Sequence, residues 1–95
     1  MIVTRLLSPE AFAPSTIRAV RHALRMTQAE LFTELGGTVS IKPNGQHHAP
    51  MVVRWEAGRT LMGCRYMMAW IDLLGDNWGA LPHALMMRIT RAVEP

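Results

Sequence analysis

Residues 17–36 read IRAVRHALRMTQAELFTELG, and their spacing decides the fold class. Ile17, Val20, Ala23 and Leu24 recur at helical intervals, with Arg18, Arg21, His22 and Arg25 on the other side. That is the pattern of an amphipathic helix with one face in a core. Ser15, preceded by Pro14, suits an N-cap and predicts a first helix over 15–25. Met26 ends it. Thr27 and Glu30 then stand three apart in TQAE, the pattern of a capping box. A second helix over 28–35 follows, apolar at Ala29, Leu31, Phe32 and Leu35 and stopped by Gly36-Gly37.

Downstream the character changes. Thr38-Val39-Ser40-Ile41 alternates and is rich in β-branched residues. Lys42-Pro43-Asn44-Gly45 has proline at the second turn position and glycine at the fourth. A short β-hairpin over 38–47, or an ordered loop, fits this pattern. A third helix starts near His48 or Ala49 with Pro50 in its first turn, where proline is tolerated. Met51, Val52 and Trp55 are its apolar residues and Gly58 closes it. Met62 to Leu74 is a strongly apolar helical stretch, ended by Gly75-Asp76-Asn77, and Pro82 opens a last helix over 82–92. Before the first helix, Met1 to Leu7 suits a short strand or an ordered arm. The expectation is an all-α, five-helix single domain over 1–95, with a short hairpin or an ordered loop between the second and third helices.

Composition limits the function. A chain of 95 residues, 49% hydrophobic and 18% charged, suits one modest core and not a disordered tail. No apolar run approaches the ~20 residues that span a bilayer. The opening MIVTRLLSPE lacks the long apolar region and cleavage site of a secretory signal. Cys64 is the single cysteine, so no internal disulfide forms, and a cytoplasmic location is the expectation. Ten basic residues face seven acidic ones, and nine of the ten are arginine, with Lys42 the lone lysine. Arginine's planar fork suits phosphate and guanine. Residues 37–65 hold Lys42, Arg54, Arg59 and Arg65 against one acid, Glu56. A basic patch of this kind is expected of a nucleic-acid binder, although a solvated face has the same composition.

Three short helices with a turn before the third form a helix-turn-helix arrangement. The run at 17–36, together with VVRWEAGRT at 52–60, resembles the lambda-repressor/Cro-type (xenobiotic-response-element-like) DNA-binding family. With the apolar helix at 62–74 the resemblance covers about 17–74, and the helix-turn-helix core is placed at 15–74. It implies a third helix lying in the major groove of double-stranded DNA, with Val52 and Trp55 toward the core. Arg54 then reaches guanine, and Arg59 a phosphate. Thr27 and Gln28 open the second helix, where amide N–H groups attract phosphate, and Gln28 reaches a phosphate or a base edge. Ala49, Pro50 and Met51 face the groove as partners for thymine methyls. Glu56 caps or pairs within the protein. The segment between Gly36 and Arg54 is longer than the family pattern. The insertion sets Lys42, Asn44, Gln46, His47 and His48 beside the DNA face as a wing, or else displaces the third helix. Phe32 also departs from the pattern, because a small residue is usual where the second and third helices cross.

Other chemistry is poorly supported. His47-His48 with Cys64 or His83 lacks the clustered spacing of a zinc site. No nucleophile has an obvious activating partner, and neither a cofactor nor an enzyme activity is expected. The apolar 62–92 segment exceeds what a small monomer easily buries, which points to a homodimer through 75–95 and its approach. Met67, Trp70, Trp78, Leu85, Met86 and Ile89 are its candidate contacts. The function expected is that of a homodimeric, sequence-specific repressor acting on its own operon, of phage or antitoxin type by analogy. The alternatives are an antitoxin-like module that masks a protein partner, and an RNA-binding regulator.

Overall fold

The computed structural model describes residues 4–93. Five α-helices dominate it: α1 (Pro14–Ala23), α2 (Gln28–Glu34), α3 (Pro50–Glu56), α4 (Cys64–Asp76) and α5 (His83–Ile89). Four short strands join them: β1 (Thr4–Leu7), β2 (Ser40–Ile41), β3 (His47–His48) and β4 (Thr90–Val93). β1 and β4 form one antiparallel pair, with Thr4 opposite Val93 and Leu7 opposite Thr90. β2 and β3 form the other, with Ser40 opposite His48 and Ile41 opposite His47. Single 3-10 turns at Pro9–Phe12 and Trp78–Ala80 fill the connections.

One core serves all five helices. Ile17 and Val20 of α1, Leu31 of α2, Val52 and Trp55 of α3, Trp70 and Leu74 of α4 and Ile89 of α5 are at most 1% exposed. α1 packs against α3 and α5, and α2 against α3. The indole Nε1 of Trp70 donates to the Ala11 carbonyl at 2.9 Å, tying α4 to the first 3-10 turn.

The first three helices end alike. The residue after each C-cap adopts a left-handed conformation, at Arg25 (φ 56°), Gly36 (φ 85°) and Gly58 (φ 73°). In each case the following amide reaches back to a carbonyl five residues earlier: Met26 to Arg21, Gly37 to Phe32 and Arg59 to Arg54. These are Schellman closures, which satisfy otherwise orphaned carbonyls.

Three expectations change. Ser15 is not the N-cap of α1; Ala13 is, and Pro14 is the first helical residue. Proline's preset φ and missing N–H suit that position. The last helix ends at Ile89 instead of continuing to residue 92. Thr90 turns extended (φ −128°, ψ 161°) and starts β4. Its hydroxyl donates to the Met86 carbonyl at 2.8 Å, and pairing with β1 supplies the ladder bonds that continued helix would have supplied. The chain is therefore mostly helical with two small sheets, rather than all-α. The hairpin and the capping box form where expected: Thr27 Oγ1 accepts from the Glu30 amide, and Glu30 Oε1 accepts from the Thr27 amide. Residues 1–3 of the expected strand or arm lie outside the described residues.

Candidate nucleic-acid interface

α3 has one face in the core and one in solvent. Val52 and Trp55 are buried, whereas Val53 is 40% exposed and Arg54 is exposed. The indole of Trp55 sits within the core, edge-on to Phe32 at 6.1 Å and tilted against Tyr66 at 5.3 Å. Its N–H lacks a hydrogen-bond partner among the described residues, so packing sets its position. Phe32 of α2 meets α3 through Trp55, and its ring also lies over Gly37: a Cβ there would come within 2.4 Å of it.

A charged cluster locks α3 to α1 and α2. Arg21 of α1 forks onto Glu56, with Nε to Oε2 at 2.7 Å and Nη2 to Oε1 at 3.0 Å. Gln28 of α2 donates from Nε2 to Oε1 at 3.2 Å, and Arg18 lies 3.6 Å from the same oxygen. Arg21 Nη1 also donates to the Met26 carbonyl in the turn after α1. Burial alone would raise the Glu56 pKa, but the hydrogen bonds from Arg21 and Gln28 and the charges of Arg21 and Arg18 outweigh it and hold it below the ordinary value. Glu56 thus pairs within the protein, as expected. Arg21 does not lie on a solvated face; its side chain is only 12% exposed.

Several candidate contacts are redirected. Ala49 is the N-cap of α3 and 2% exposed, so its methyl fills the core rather than meeting thymine. Met51 is half-buried against the core. Gln28 is half-buried and bonded to Glu56, which takes its amide away from a base edge. Thr27 is exposed, but its hydroxyl closes the capping box. Arg59, Lys42, Asn44, Gln46 and His47 are exposed, and His48 is half-buried. Val53 was not singled out from the sequence, because an apolar residue outside the buried period carries no charge or motif that marks a contact. The Arg21–Glu56 pair escaped it because its partners are 35 residues apart.

The segment 37–48 leaves α3 packed in the core. Its turn is closed by the Gly45 amide donating to the Lys42 carbonyl at 2.8 Å. Asn44 Oδ1 accepts from the Gln46 amide at 3.0 Å. Between the hairpin and the start of α2 lies an open groove of about 490 Å³, lined by Thr27, Gln28, Ala29, Gly45, Gln46, His47, His48 and Ala49.

Three of the six candidate dimer residues belong to the chain's own core: Trp70, Leu85 and Ile89 are at most 6% exposed. Met67, Trp78 and Met86 are half-buried against it. The apolar surplus is absorbed because α5 folds back on α1 and the first 3-10 turn. Met68 and Met87 remain exposed. Among the described residues, no group of three or more His, Cys, Asp or Glu side chains is placed to hold a metal ion, and no helix is long and apolar enough to cross a membrane. Compared with protein-family models, curated proteins and solved structures, the chain matches none.

Proposed function

We propose that the protein is a sequence-specific double-stranded DNA-binding regulator that presents the exposed face of α3 to the major groove and acts as a repressor by occupying a promoter. The supporting observation is the two-sided setting of α3. Trp55 and Val52 anchor it from behind, the Glu56 carboxylate is consumed by Arg21 and Gln28, and Arg54 and Val53 point outward. Neutralising the one acid of the helix internally matters, because a free carboxylate facing DNA would repel phosphate. Arg54 is suited to the O6 and N7 of guanine, and Val53 to a thymine methyl. Arg59, exposed just beyond the left-handed Gly58, is suited to a backbone phosphate. The reading rests on this geometry and on the resemblance of 17–36 and 52–60.

Selection of binding sites from random duplexes, followed by affinity measurements, tests it. Arg54→Ala is expected to cost about 1–3 kcal/mol and to relax preference at one base position. Arg59→Ala is expected to weaken all duplexes alike and to lower the salt slope by about one. A parent protein that selects no sequence, or an Arg54→Ala variant with undiminished selectivity, overturns the reading.

A further inference from the structure

We infer that the β2–β3 hairpin is a second DNA contact, whose turn and whose acid-free side toward α2 meet one sugar–phosphate strand of the duplex. The inference rests on the reading of α3 as the major-groove element.

Position comes first. His48 is separated from Pro50, the first residue of α3, only by the buried Ala49. The hairpin is therefore tied to the helix that would enter the groove, and it also packs against α2. A rigid projection next to a major-groove helix meets the backbone flanking that groove. Charge decides which side of the hairpin the strand takes. His47 borders two grooves. One, of about 320 Å³, is lined by Glu30 and Glu34 as well as Thr27 and Thr33, and two carboxylates exclude phosphate from it. The other, of about 490 Å³, has no acid in its lining and offers Gln46, His47 and His48 as polar groups.

Composition agrees. Residues 37–48 contain no Asp or Glu, and the chain's only lysine, Lys42, opens the turn. Ile41 is 68% exposed, a placement otherwise unfavourable for an isoleucine. It stands directly across the ladder from His47, so the two side chains share one face of the hairpin. A deoxyribose ring is a suitable cover for that apolar surface, as phosphate is for Lys42. Arg54 would then read bases while the hairpin fixes register without reading sequence.

The test is salt-dependent binding of the full chain to a mixed-sequence duplex several helical turns long, with hydroxyl-radical footprinting. Lys42→Gln is expected to lower the slope of log K against log salt by about 0.9. It should also remove protection from one backbone segment flanking the α3 site, while leaving base preference unchanged. His47→Ala should weaken protection of the same segment. Arg88→Gln on α5, which lies outside both contacts, should leave slope and footprint as in the parent. Unchanged melting temperatures exclude misfolding as the cause. If the parent binds duplex DNA but Lys42→Gln keeps the full slope and footprint, the hairpin contact is wrong and the reading of α3 stands. If the parent binds no duplex, both are wrong. If a structured RNA displaces the duplex and Lys42→Gln affects only RNA binding, the assignment of DNA to this hairpin is overturned.

Discussion

Glu56 illustrates how a single carboxylate can hold three helices in relation. It accepts from Arg21 of α1 and Gln28 of α2 while sitting at the last position of α3. Removing its charge leaves the Arg21 guanidinium mostly buried and unpaired. Glu56→Gln is therefore expected to cost about 3 kcal/mol in denaturant unfolding at neutral pH. The pH dependence follows from the lowered pKa. A depressed carboxylate stabilises the folded state fully above its unfolded value, near 4.3. That contribution is lost as pH falls through the folded value. The parent should thus lose stability on acidification below about pH 4, and the gap to Glu56→Gln should close over the same range. A gap that stays constant down to pH 2 would contradict this role. Arg25 makes a different residue-scale prediction. It occupies the left-handed position that glycine fills at the ends of α2 and α3. A Cβ there costs roughly 1–2 kcal/mol, partly offset by glycine's greater freedom when unfolded. Arg25→Gly should stabilise the fold by about 0.5–1 kcal/mol, read as a rise in melting temperature.

At the scale of elements, a pair of residues of opposite size packs the end of α2 beside its contact with α3. The bulky Phe32 is accommodated by the missing side chain at Gly37. Gly37→Ala should destabilise by about 1–3 kcal/mol through overpacking. Adding Phe32→Leu should recover part of that loss, giving a clear coupling in a double-mutant cycle; strict additivity would refute the contact. The elements themselves were largely legible. The TQAE capping box, the apolar period of α1 and the Lys42–Gly45 turn each depend on residues close in sequence, and each formed. The boundary of α5 was not legible, because what ends it is pairing with a strand more than eighty residues away. The site was legible in part for the same reason. Arg54 and Arg59 are exposed as expected, whereas Ala49 and Gln28 were drawn inward by contacts to α-helical partners that no local pattern encodes.

For the molecule as a whole, closure depends on β1 and β4, far apart in sequence, being brought together. β1 pairs with β4, the Ser8 amide donates to the Ile89 carbonyl at 2.9 Å, and Trp70 donates to Ala11. Trp70→Phe keeps most of the ring volume but strands the buried carbonyl of Ala11, and about 2 kcal/mol of global stability should go with it. Loss of only local amide protection near Ala11, with the global transition unmoved, would argue that the N-terminal turn is an appendage. Read alone, the residues determined the helical periods, the capping box of α2, the hairpin turn and the basic, acid-poor middle of the chain, since these follow from neighbours within about one helical turn. Only tertiary structure decided which apolar residues were core and which polar ones were spent on each other. Trp70, Leu85 and Ile89 turned inward, and Arg21 and Glu56 neutralised one another, because burial and ion pairing depend on distances in space that sequence separation does not set.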